Sequence, residues 1–170
     1  MSLVRFAGRN HPQQVGARGP NPSVDDRATA WEVFEPLMDR FRFTIDVAAS
    51  AVNTKCKRFY SIDDDGLAQP WLRERVWCNP PYSDIRPWVE KAWAEFNEEN
   101  GATCIVMLLP ANRTEQAWWQ DLVEDQRDSL LYPLRVEFLR GRIRFIHPGK
   151  SEIGPNERPP FGSCLLIWER

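Results

Sequence analysis

The chain has 170 residues, 42% apolar and 12% aromatic, enough to build one domain around a packed core. Its formal net charge of −2 argues against nonspecific coating of nucleic acid, although a locally basic face is compatible with that total. The apolar runs at 104–110 and 164–168 are too short to span a bilayer. Cys56, Cys78, Cys104 and Cys164 form no C-x-x-C pair and the histidines are His11 and His147, so neither a zinc site nor a disulfide framework is expected.

Residues 1–28 carry Gly, Pro, Asn and Gln without periodicity and read as a flexible arm, with the folded domain spanning 29–170. Trp31, Phe34, Leu37, Met38 and Phe41 then recur at three- and four-residue intervals, the stripe of a helix. The segment FRFTIDVAAS alternates like a strand and ends in small residues. A second apolar run from Val76 stops at Pro80-Pro81, a pair no central strand contains, so the motif around it sits just past a strand end.

Residues 87–96 suit a helix with proline in its first turn and Trp88, Ala92, Trp93 and Phe96 on one side. Residues 104–109 (CIVMLL) read as a fully buried strand. Residues 118–123 suggest another helix, followed by strand-like segments at 136–139, 143–146 and 164–168. This alternation predicts an α/β domain with a mostly parallel sheet and a ligand site at the carboxyl ends of its strands. Residues 147–160, rich in Pro, Gly and charge, are expected to form a long mobile loop.

Asn79-Pro80-Pro81-Tyr82 is the most informative stretch. An exocyclic amino group on a base is a poor nucleophile, because its lone pair is delocalised into the ring. A catalyst must accept hydrogen bonds from both N–H groups as the nitrogen turns tetrahedral. The Asn79 side-chain oxygen supplies one acceptor and the Pro80 carbonyl the other. Pro81 has no N–H and forces Pro80 into an extended conformation, which holds that carbonyl outward. Tyr82 offers a ring on which a base swung out of its duplex can stack, a contact of roughly 1–3 kcal/mol. Taken alone, N-P-P-Y also reads as a strand-to-loop turn. The preceding apolar strand, the aromatic at the fourth position and a separate strand ending in Asp46 favour the catalytic reading.

Together FTIDVAAS, NTKCKRFYS, DDDGL before a Trp, VWCNPPYS, LLPANRTEQAWW and GRIRF make the chain resemble the phage-type DNA N6-adenine methyltransferases, the Dam-like family, from about Thr29 onward. The resemblance implies a Rossmann-like methyltransferase core, S-adenosylmethionine as donor, DNA as partner, no metal, and a place in the cytoplasm of a bacterium or phage-infected host. It makes Asn79, Pro80, Pro81 and Tyr82 the catalytic loop. It also implies a donor site from Asp46, Ala48, Ala49 and Ser50 after the first core strand, closed by Thr29, with Asp65 and Leu67 near the donor's adenine. Asp63 and Asp64 read better as a solvated turn. The usual G-x-G turn is replaced by D-V-A-A-S. Little room remains between Asp46 and Asp65 for a second strand-and-helix unit, so the acidic residue expected at the ribose has no place there; Asn53 is a candidate for that contact.

Tyr82, Ser83, Arg113 and Arg142 are the expected substrate contacts. Arg140, Arg142, Arg144 and Lys150 add positive charge, and the period of two at the first three puts them on one face of a strand. For any single arginine the plainer reading is surface charge. Trp31, Trp88 and Trp93 are expected in the core. Trp118 and Trp119 are adjacent, so one of them is expected toward the substrate groove. Two other functions fit the motif: N-methylation of RNA bases or protein glutamine, and a catalytically silent nucleic-acid-binding relative.

Overall fold

The computed structural model describes residues 28–129, 133–146 and 159–170. The expected N-terminal arm and residues 147–158 of the expected loop, Lys150 among them, lie outside the described residues. The chain order is β1 (Ala28–Thr29), α1 (Trp31–Phe41), β2 (Ile45–Asp46), β3 (Arg75–Cys78), α2 (Arg86–Asn97), β4 (Cys104–Pro110), α3 (Ala117–Trp119) running into a π-helical turn at Gln120–Glu124, β5 (Leu134–Phe138), β6 (Phe145–Ile146) and β7 (Ser163–Glu169).

Among the described residues, five strands form one sheet in the order β2-β3-β4-β7-β5. β4 is its axis: all seven of its residues are buried, because helices cover both faces of the sheet. Period-two geometry splits it cleanly. Ile105, Met107 and Leu109 point into one core layer with Val89, Ala92 and Phe96 of α2 and with Trp118, Trp119 and Val123; Cys104, Val106 and Leu108 point into the other with Phe34, Leu37 and Phe41 of α1.

The sheet is mixed rather than mostly parallel. β2, β3 and β4 run parallel to one another, but β7 lies antiparallel between β4 and β5. A strand buried on both faces has the same residue pattern in either direction, so composition alone does not reveal this reversal. β6 leaves the main sheet and pairs with β1 instead, Thr29 opposite Phe145 and Ala28 opposite Ile146. On the free edge of β2, residues 58–60 stand where a second strand-and-helix unit would begin: Asp46 N–H donates to Arg58 O at 3.0 Å and Tyr60 N–H to Asp46 O at 2.9 Å.

Two helix expectations need correction. Trp31 is 50% exposed rather than core, since it opens α1 beyond the edge of the packed stripe. Trp118 and Trp119 are both buried, at 8% and 1% exposure. Neighbours on a helix diverge by about 100°, and a short helix set in a corner of the core buries both directions. Trp88 and Trp93 pack at the margin of the core, partly buried.

Candidate active site

The parallel pair β2 and β3 puts Asp46 opposite Trp77, with Asn79 two residues further along the second strand. Beyond their carboxyl ends opens a narrow cleft lined by Ala28, Thr29, Asp46, Ala48, Asn53, Lys55, Trp77 and Asn79. Thr29, Asp46, Ala48 and Asn79 thus come together in one lining from three separate stretches of sequence, with Asn53 beside them. Thr29 reaches the cleft because β1 is held by β6, and its hydroxyl oxygen is buried without a hydrogen-bond partner among the described residues.

The D-V-A-A-S turn closes on Asp46. One carboxylate oxygen accepts the Ala48 N–H at 3.4 Å and the other the Lys55 N–H at 3.0 Å, so residues 47–55 form a loop tied at its neck. Within it the Ser50 N–H donates to Asn53 Oδ1 at 2.6 Å. Burial pushes the Asp46 carboxyl up to about 6 against those two N–H bonds and the Lys55 charge, which favour its ionised form. Lys55 is itself buried. Its ammonium lies 4.4 Å from the centroid of the Trp31 ring, and desolvation lowers its pKa while Asp46 opposes the shift.

The other expected donor residues lie around this loop rather than in the cleft lining. Ala49 N–H bonds Tyr60 O, and the Ser50 hydroxyl is buried without a partner among the described residues. Asp65 is exposed at φ 55°, accepting the Leu67 N–H at 3.2 Å. Between them Gly66 touches the neck of the loop, where an added Cβ would lie 2.1 Å from the Val47 carbonyl oxygen. Asp64 accepts both the N–H and the hydroxyl of Ser61, a turn-forming role in keeping with its solvated reading.

Pro80 is buried directly after β3, and the next carbonyl, of Pro81, accepts the Asp84 N–H at 3.3 Å, turning the chain toward α2. Tyr82 is half-buried, with its ring edge-on to Phe145 and Phe161, each at 6.1 Å. Its hydroxyl is buried without a partner among the described residues, and burial raises its pKa, keeping it a neutral phenol. Cys78, immediately before the motif, is fully buried and its thiol is likewise raised, while Cys56 and Cys164 are pushed to about 12. None of these thiols is a nucleophile near neutrality.

Ser83 is exposed, and Arg113 is half-buried just past β4 with its Nε buried and unpartnered among the described residues. Arg140, Arg142 and Arg144 precede or flank β6 rather than sharing a strand, because Gly141 at φ 74° makes a turn. Even so, Ile143 and Phe145 are buried while Arg140 and Arg142 are exposed and Arg144 half-buried. This basic stretch is joined to the cleft through Thr29 opposite Phe145 and to the motif through Phe145 against Tyr82. Among the described residues, no group of three His, Cys, Asp or Glu side chains is placed to hold a metal ion, and no helix is long and apolar enough to cross a membrane.

A cleft beyond the carboxyl ends of adjacent parallel strands is where open α/β sheets place their ligands. The chain belongs to the DNA N-6-adenine-methyltransferase (Dam) family, which it matches over residues 16–170. It is 31% identical over 175 residues to a DNA N-6-adenine-methyltransferase of Escherichia phage T1, covering 96% of this chain and 67% of that relative. A DNA N-6-adenine-methyltransferase of Haemophilus phage HP1 is 30% identical over 144 residues, covering 84% of this chain and 77% of the relative. The resemblance read from the motifs is borne out at the level of the family.

Proposed function

We propose that this adenine-specific DNA methyltransferase takes its methyl group from S-adenosylmethionine held in the cleft at Asp46, and transfers it to the N6 amino group of an adenine swung out of DNA onto the Asn79–Tyr82 loop. The carrying observation is that Thr29, Asp46, Ala48 and Asn79 line one cleft, so a donor against Asp46 is next to the motif that receives the base. The residues fit the donor: Asp46 offers a carboxylate to its ammonium, and the buried Thr29 hydroxyl awaits a polar partner.

Bound there, S-adenosylmethionine supplies a methyl carbon attached to positive sulfur, open to direct displacement. Asn79 Oδ1 and the Pro80 carbonyl accept the two N–H bonds of the amino group and favour its pyramidal geometry. Transfer would break the methyl–sulfur bond, leaving its electron pair on a neutral thioether, as the amino nitrogen gains the methyl group and gives one proton to solvent. The Tyr82 ring packs against the base and offsets the stacking lost on extrusion. The raised, protonated thiols at Cys78 and Cys164 are in keeping with attack by the amino nitrogen itself. Ser83, Arg113 and Arg142 hold the DNA strand beside the extruded nucleotide.

The test is methyl transfer from labelled donor to DNA, RNA and protein in parallel. Label in N6-methyladenine of DNA is expected; label confined to RNA or protein, or no donor binding by calorimetry, overturns the reading. Asn79→Ala is expected to lower turnover by about a hundredfold or more while donor binding persists.

A further inference from the structure

Lys55 carries a charge that the cleft does not otherwise use. Its residue is 8% exposed, and it lies in the wall between the donor cleft and a second groove formed by Trp31, Phe34, Glu35, Met38 and Asp39. The ammonium of a lysine so largely covered has three N–H donors and ordinarily faces an anion. Among the described residues no carboxylate stands within salt-bridge distance of it; the Trp31 ring is its neighbour instead. The backbone of the same residue is bonded to the Asp46 carboxylate, so a negative and a positive side chain are fixed on one small loop at one wall of the cleft.

A ligand that matches such a pair is a zwitterion of amino-acid type. We infer that Lys55 binds the α-carboxylate of the donor's amino-acid end while Asp46 binds its α-ammonium. This rests on the donor site proposed above. It assigns the cleft a direction, amino-acid end toward Lys55 and Trp31, with the methyl carbon left toward Asn79. It also accounts for a lysine whose chain is largely covered while its ammonium has no carboxylate within salt-bridge distance among the described residues.

The experiment is calorimetric titration of the full chain with S-adenosylmethionine and with its decarboxylated analogue, which keeps the sulfonium and the amine but lacks the carboxylate. The wild type is expected to bind the complete donor roughly tenfold or more tightly, the worth of a charge-assisted contact. In Lys55→Met the two affinities are expected to converge, and in Lys55→Arg the preference is expected to return. Equal binding of both compounds by the wild type overturns the inference without recourse to any variant. A preference that survives Lys55→Met, with the variant's folding verified by circular dichroism, overturns it as well. Absence of binding by either compound to the wild type instead removes the donor site itself.

Discussion

A carboxylate buried as deeply as Asp46 weakens the empty protein and strengthens the loaded one. Its pKa in the fold is about 6 against 3.8 in an ordinary setting, so the folded chain holds the proton more tightly than the unfolded chain does. That contribution to stability is complete below about pH 4 and is lost as pH rises through about 6, a change on the order of 3 kcal/mol. Asp46→Asn is expected to flatten this part of the stability profile in thermal melts from pH 4 to 8. Wild-type affinity for a cationic donor is expected to increase as pH rises through about 6, and the same titration with Asp46→Asn should be both weak and flat. Asp46 and Asn79 were legible in the sequence because each ends an apolar run at a chemically odd residue. Lys55 was not: it stands in an unperiodic stretch, and lysine reads as surface until a neighbour such as Trp31 is seen over it.

At the scale of elements, the loop that replaces the usual glycine turn depends on a glycine elsewhere in the chain. Gly66 abuts the Val47 carbonyl so closely that Gly66→Ala must displace backbone. The expected loss is about 1–3 kcal/mol in denaturant unfolding, with donor affinity falling alongside it. Trp119, 1% exposed against the inner layer, should cost roughly 3–5 kcal/mol as Trp119→Ala. The helices α1 and α2 followed from periodicity and the strand β4 from its unbroken apolar run, signals that are strong in long elements. The alternation of FRFTIDVAAS marked β2, although only two of its residues enter the ladder. The reversal of β7 and the departure of β6 from the sheet depend on pairing partners distant in sequence, which local patterns do not encode.

Over the whole molecule, a net charge of −2 confines DNA binding to a local field. The stretch around Arg140, Arg142 and Arg144 supplies positive charge next to the Tyr82 loop through Phe145. Arg142→Ala is expected to weaken binding to all duplexes alike and to lower the slope of log affinity against log salt by about one, measured by fluorescence anisotropy. Specificity contacts behave differently, since losing one changes the ranking of sequences rather than the salt slope. β7 comes late in the chain yet occupies the middle of the sheet. During synthesis, β4 therefore waits with one apolar flank unpaired until residues 163–169 clear the ribosome. Until β7 is added the nascent chain carries an open strand edge, the kind of surface that pairs with other chains.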